Sequence, residues 1–374
     1  MAGWGGGGGW GGWGGWGGWG GWGGGGGGAP GNGQPFDPMV TDALMRSRDG
    51  TVLQNTLDVK FKPQHREMGD TVTMGQWEAL IRFNTALFEL LSGLSFSVSN
   101  NSSGSATLTL QGNTNTRTPL VVMNRPDTAF FREQLKVVAG WAEVRQDRSS
   151  EILVQMQPQI PFWSSVVHMH PAHTPKTLEI VELALGFASI ACMRFKQAMA
   201  VTRPIDLSTE IQPIIPTPSH SAYPSGHATE AYMIAYTLPS LLAARVNTAG
   251  AVAVDATRRK VYEDQLKAQA KRIAVNRTVA GVHFPIDSYA GSVLAQSLAE
   301  YFLYRLGIPS EVHARTVNPF ANGLDDFKPD DATQSAPKIE LVDDQLPSLA
   351  PTKIDPLRWM AERAIGEWGG WEHE

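Results

Sequence analysis

Three short segments between Lys196 and Asp287 constrain this chain more than any other feature. They are Lys196-x6-Arg203-Pro204, Pro224-Ser225-Gly226-His227 and Arg277-x5-His283-x3-Asp287. Together they hold three cations, two imidazoles, a hydroxyl, a glycine turn and a carboxylate, the inventory that grips a tetrahedral oxyanion and acts on it. A fold that uses them must bring three separated stretches to one point. Arg meets oxyanion oxygens through a planar fork, and Lys adds a compact charge. Ser225 offers a hydroxyl, and Gly226 lets a backbone N–H come close. A helical pattern follows His227, so the turn opens a helix whose free N–H groups and positive dipole end favour an anion. The chain has a formal net charge of −5, so affinity for anions must come from this local cluster.

The two histidines suit different tasks. Pro285 predicts a helix start just after His283 and places Asp287 in its first turn, within reach of the imidazole. A carboxylate on one ring nitrogen fixes the tautomer and makes the other nitrogen a better ligand or nucleophile. His227 has no carboxylate beside it in sequence and is the candidate for acid–base work.

The chain around these segments reads as mostly helical, a helical bundle with one small β-hairpin near residues 95–111. Apolar spacing predicts helices over 71–94, from an Asp127 cap to about Arg145, over 151–157 and over 162–168. Longer ones follow from Pro175 to about Thr202, His227 to Arg245, Asp255 to about Arg277 and Pro285 to Leu306. Lys196 and Arg203 lie about two helical turns apart and can face one side. Ser95–Ser99 and Ala106–Gln111 alternate apolar and polar residues, the pattern of a hairpin. A last short helix is capped by Asp355 and runs to about Gly366.

Composition bounds the rest. Residues 3 to 28 are only Gly and Trp, and six of the twelve tryptophans lie there. Such a tract cannot offset its ordering entropy and reads as a disordered tail over 1–35, with indole faces that could drive homo-oligomers. Trp368-Gly369-Gly370-Trp371 echoes it at the other end. Past residue 320, Asp325, Asp326, Asp330, Asp331, Asp343 and Asp344 mark an extended acidic segment. The one cysteine, Cys192, excludes an intrachain disulfide and reads as a small buried residue. His168, His170 and His173 lack carboxylate or thiolate company and read as a polar loop. The best membrane candidate, 177–201, is broken by Glu179, Glu182, Arg194 and Lys196, so no span is expected. No signal peptide is recognised, and the expectation is a soluble, cytoplasmic protein. No basic patch points to nucleic acid.

The three segments resemble the signature of the vanadium-dependent haloperoxidase and type 2 phosphatidic acid phosphatase (PAP2) superfamily, over about residues 125 to 306. The resemblance implies an α-helical catalytic domain over 126–320, preceded by a helical region with the hairpin over 36–125 and followed by the acidic segment and terminal helix over 321–374. It implies that Lys196, Arg203, Arg277, Ser225 and Gly226 cradle vanadate or phosphate. It makes His283 the vanadium ligand of a haloperoxidase or the nucleophile of a phosphatase, oriented by Asp287, with His227 as acid–base. Tyr223-Pro224-Ser225-Gly226-His227-Ala228 is similar to the haloperoxidases, and His220 occupies a position that is histidine in bromoperoxidases and tends to be phenylalanine in chloroperoxidases.

The leading expectation is therefore a vanadate-dependent haloperoxidase that uses hydrogen peroxide and a halide, bromide or iodide rather than chloride. One departure opposes it. Met193 stands where haloperoxidases often place an aromatic residue, and a thioether is readily oxidised. The alternative is a PAP2-type acid phosphatase that takes a phosphomonoester, forms a phosphohistidine and needs no cofactor. A non-catalytic oxyanion-binding or assembly protein is the third reading.

Overall fold

The computed structural model describes residues 38–52, 67–99, 104–112, 117–247, 250–320, 323–327 and 355–369. The Gly/Trp tract and most of the acidic segment lie outside these residues, as do the expectations that fall on them. Helix α1 (Pro38–Thr51) belongs to a separate unit, Trp13–Met68, and carries no buried residue. Gly69 onward makes up the main unit.

The main unit is mostly helical, with short strands, as its apolar periodicity predicts. Helix α2 (Ala79–Ser92) follows a short 3-10 helix at Thr71–Gln76. Strands β1 (Leu94–Ser99) and β2 (Ser105–Gln111) form the expected hairpin, with Phe96 opposite Leu108. The sheet goes further than predicted. β3 (Arg117–Asn124) pairs antiparallel with β2, and its other edge takes β6 (Arg315–Val317) in parallel, with Val122 opposite Thr316. The near-continuous apolar run Leu120–Met123 is buried except for half-buried Val122, which is why it lacks the alternation that marks a half-exposed strand.

Asp127 caps α3 (Thr128–Gly140) by accepting from the Phe130 N–H at 2.7 Å. The helix expected to continue to Arg145 instead tightens into a 3-10 turn at Trp141–Val144 and restarts as α4 (Arg145–Val154). α5 (Ile160–Ser164) is a short turn. Pro175 opens α6 (Pro175–Met199), which ends at Ala200 in a left-handed conformation. Pro204 opens α7 (Pro204–Leu207), and Ser225 caps α8 (Gly226–Ala243). A small hairpin, β4 (Ala244–Val246) with β5 (Val252–Val254), joins α8 to α9 (Ala256–Val279), which Asp255 caps. α10 (Pro285–Arg305) starts at its proline, and α11 (Pro356–Gly366) is capped by Asp355.

α8 is the centre of the bundle. It packs against α6, α9 and α10, and its side chains from Ala231 to Ala235 are all buried. Its start therefore meets the ends of the other three helices, where the three sequence segments lie. Helix α2 docks on α6 through a buried ion pair, Arg82 to Glu179, with Nη2–Oε1 at 2.6 Å and Nε–Oε2 at 2.8 Å. Trp368 is buried and donates from Nε1 to Thr177 Oγ1 at 2.9 Å, so one indole of the C-terminal Trp-Gly-Gly-Trp run is a packing group on α6. Asp325 and Asp326, read as part of an extended acidic segment, contact α3 and the turn after it: Gln134 donates to the Asp325 carbonyl, and the Trp141 indole to the Asp326 carboxylate. Among the described residues, no helix is long and apolar enough to cross a membrane.

Candidate active site

The end of α6, the chain through Arg203, the start of α8, the end of α9 and the start of α10 converge on one buried cluster. Lys196, Arg203, Arg277, Ser225, His283 and Asp287 are each at most 3% exposed. Main-chain bonds join the segments. The Ser225 N–H donates to the Asp287 carbonyl at 2.8 Å, which ties the turn before α8 to the first turn of α10. The Ala222 N–H donates to the Val201 carbonyl at 2.9 Å, which ties the same turn to the end of α6. Gly291 lets α10 lie against this turn, since a Cβ there would fall 2.8 Å from the Ser225 carbonyl oxygen.

Each cation is aimed by carbonyls on part of its donor set. Lys196 Nζ donates to Ser221 O at 2.8 Å and Ala222 O at 3.0 Å, leaving its third N–H. Arg203 donates from Nε to His220 O at 3.0 Å and from Nη1 to Val282 O at 2.8 Å. Arg277 Nη2 donates to Ile152 O at 3.2 Å and to Gln155 Oε1 at 3.0 Å, while its Nε and Nη1 are buried without a partner. Among the described residues, none of these three cations forms a salt bridge with a carboxylate, whereas Arg82, Lys176, Arg272 and Arg315 do. Burying charge without a counter-charge is costly. Burial lowers Lys196 to about 8, and Arg203 and Arg277 to about 10. Gly226 lies against the Lys196 side chain, where an added Cβ would be 3.9 Å from Cε.

The histidine tautomers follow from their partners. Asp287 Oδ2 faces His283 Nδ1 at 2.9 Å and also accepts from the Phe284 N–H at 2.9 Å, so Nδ1 carries the proton. Arg203 Nη1 donates to His283 Nε2 at 3.1 Å, so Nε2 carries the lone pair. Burial, followed by the charges of Arg203 and Lys196, holds His283 well below the usual imidazole range. Burial raises Asp287 to about 7, against the pull of the Phe284 N–H and the two cations. His227 donates from Nε2 to Gln155 O at 3.0 Å, and burial with the Arg277 charge lowers it to about 3. His220 Nδ1 accepts from Arg203 Nη2 at 3.0 Å, and burial with the charges of Lys196 and Arg203 lowers it to about 4.

The structure thus gathers every sequence-predicted site residue. It also adds three that the sequence did not single out for the site. Gln155, fully buried at the end of α4, touches Arg277 through its side chain and His227 through its carbonyl. Cys192, one turn before Lys196, donates its thiol to Pro224 O at 3.7 Å. Glu230, one turn after His227, is raised to about 7 by burial, against a hydrogen bond from Ser189 and the Lys196 charge. Met193 is half-buried on α6. His168, His170 and His173 form a polar loop in which His170 Nδ1 accepts from the Ala172 N–H at 3.1 Å. Among the described residues, no group of three or more His, Cys, Asp or Glu side chains could hold a metal ion.

Residues 179–306 match the family model of the PAP2 superfamily. The matched stretch spans all three segments and leaves out α4 with Gln155. No curated protein matches the chain. Among solved structures, it is similar to the first transmembrane PAP2 type phosphatidylglycerolphosphate phosphatase from Bacillus subtilis, with 16% identity, a TM-score of 0.27, and coverage of 46% of this chain and 90% of that one.

Proposed function

We propose that this chain hydrolyses phosphate monoesters through a phosphohistidine at His283. The observation that carries the reading is the buried cluster in which Arg203 and Lys196 act on an imidazole whose Nδ1–H is accepted by Asp287, with Arg277 acting on the neighbouring His227. The match of residues 179–306 to the PAP2 superfamily supports it. The third N–H of Lys196, a free N–H of Arg203 Nη2, Arg277 Nε and Nη1, the Ser225 hydroxyl and the N–H groups at the start of α8 supply donors for the non-bridging phosphoryl oxygens. As the Arg203 Nη1 N–H turns from His283 Nε2 to a phosphoryl oxygen, the freed Nε2 lone pair attacks phosphorus, and the N–P bond forms as the bond to the leaving oxygen breaks. His227, protonated at Nδ1 once the bound phosphate offsets the Arg277 charge, gives that oxygen its proton. Positive charge then develops on the His283 ring, and Asp287 stabilises it. In the second step, His227 takes a proton from water as the water oxygen attacks phosphorus. The N–P bond breaks, releasing phosphate and restoring both histidines.

His220 favours a second reading. Its ring lies on Arg203, at the position the bromoperoxidases fill with histidine. The same donors, with His283 Nε2, fit vanadate as well as phosphate, and bound vanadate supplies a Lewis acid that activates hydrogen peroxide toward halide. Lys196, Arg203 and Arg277 would hold the ion, and Asp287 would keep His283 Nε2 as its ligand atom. Met193, half-buried on α6 three residues before Lys196, weighs against an oxidising site, since a thioether is readily oxidised to the sulfoxide.

One assay separates the two. Hydrolysis of p-nitrophenyl phosphate is expected without added metal and is inhibited by orthovanadate. Bromination that needs vanadate and peroxide, with no hydrolysis, would replace the first reading with the second.

A further inference from the structure

Gln155 lies outside the matched region, and its side chain is fully buried. Its carboxamide orientation is fixed by two donors. Asn276 Nδ2 and Arg277 Nη2 both reach Oε1, each at 3.0 Å. Arg277 has no acceptor, and Asn276 turns its Nδ2 here because its Oδ1 accepts from Arg148 Nη1 at 3.2 Å, so Oε1 must face both donors and Nε2 must face away. Nε2 is buried and without a partner, and so are Arg277 Nε and Nη1. The Gln155 carbonyl meanwhile takes the His227 Nε2 proton at 3.0 Å. The residue therefore stands between the cradle arginine and the candidate acid, with three unsatisfied donors in one amide–guanidinium unit. Leaving one such donor unpaired in a protein interior is costly, and three together call for a shared acceptor.

We propose that Gln155 is a further ligand of the bound oxyanion, with Nε2 donating to a ligand oxygen while Oε1 holds Arg277 in place. The proposal rests on the oxyanion reading of the cradle and extends it to a residue from α4. It assigns the amide two functions. Gln155→Glu keeps an acceptor for Arg277 and Asn276 at the same length, but it also puts a negative charge beside the ligand, which weakens anion binding whichever function Gln155 has. The side-chain amide of the wild type separates the two: its Nε2 proton resonances move downfield on adding phosphate if Nε2 donates to the ligand, and stay in place if Gln155 only positions Arg277.

The test uses the full chain and inorganic phosphate as the probe, with affinity measured by titration calorimetry at pH 8 and folding checked by thermal melting. Gln155→Glu is expected to bind phosphate about ten-fold or more weakly with little change in melting temperature. Gln155→Met, which removes donor and acceptor together without adding charge, is expected to weaken binding by several-fold and gives the combined loss from both functions. Unchanged or tighter binding in both variants overturns the proposal and leaves the Nε2 donor to a buried water. A wild type that binds neither phosphate nor orthovanadate removes the oxyanion reading itself. A wild type that binds, with variants that bind equally well, removes only the role of Gln155.

Discussion

Asp287 holds His283 by its Nδ1 at 2.9 Å while its own main-chain carbonyl accepts the Ser225 N–H at 2.8 Å. One residue thus sets the tautomer of the candidate nucleophile and joins it to the turn that opens α8. The same carboxylate oxygen accepts from the Phe284 N–H, so the first turn of α10 is held rigid around the imidazole.

Asp287→Asn keeps the shape of this contact and weakens the carboxylate's hold on the developing imidazolium. Steady-state kinetics should show kcat reduced by about 10- to 100-fold, the range for losing a partner that orients a reactive histidine, with KM little changed. A loss confined to KM would mean that Asp287 only shapes the binding site.

The cations set the pH dependence of anion binding. Burial lowers Lys196 to about 8 in the ligand-free protein. Its charged form binds the anion, and the bound anion favours that form, so the pKa rises on binding. Phosphate affinity should therefore fall as pH rises above about 8, by at most about ten-fold per pH unit for one group. Lys196→Met should weaken binding at neutral pH and remove this alkaline limb. A limb that persists in Lys196→Met would assign it to another group.

His227 gives the opposite test on the acid side. It is lowered to about 3 by burial and the Arg277 charge. A bound phosphate offsets that charge and raises the value, so binding takes up protons. Calorimetry in two buffers of different ionisation enthalpy should show, on the acid side of neutrality, proton uptake beyond the change on phosphate itself. His227→Asn should reduce that uptake; the same uptake in the variant would place the proton on another group.

Gly291 is set by close packing. A Cβ there would lie 2.8 Å from Ser225 O and 3.0 Å from the Ala228 Cβ. Gly291→Ala must push α10 from α8, at a cost of about 1–3 kcal/mol, and it moves His283 relative to Ser225. Melting temperature and activity should fall together. A stable variant with full activity would show that the two helices can separate without disturbing the site.

Arg82 and Glu179 test the scaffold far from the chemistry. Burial pushes Glu179 up, but hydrogen bonds and charge from Arg82 and Lys176 outweigh it and leave it below its ordinary value of 4.5. A carboxylate depressed in the folded state gives stability above the unfolded value and loses it as pH falls through the folded one. Arg82→Ala should cost up to about 3–5 kcal/mol by leaving the buried carboxylate to Lys176 alone, and Glu179→Gln should flatten the acid side of the stability profile in thermal melts.

How much of this was legible in the sequence depended on whether the signal was local. Pro175, Pro285, Asp127, Asp255 and Asp355 each mark a helix start in the chain itself, and the structure places helices there. The site segments were legible for the same reason: His283 and Asp287 sit within one helical turn. β3 was hidden because Leu120–Met123 is mostly buried and its partner β6 lies far along the chain, at Arg315–Val317. The break between α3 and α4 falls near Gly140, where a glycine weakens a helix without marking its end. Gln155 had no local signal, because its importance comes from Arg277 and His227, more than 70 residues away.

The central claim is that His283 Nε2 takes the phosphoryl group. It is tested by mixing the full chain with a phosphomonoester labelled at phosphorus, quenching within the first turnover under alkaline conditions that preserve phosphohistidine, and mapping the labelled peptide by mass spectrometry. The account predicts an acid-labile, base-stable label on His283 that is absent in His283→Ala. Turnover of the phosphomonoester with no label on His283, or a label on another residue, would contradict it.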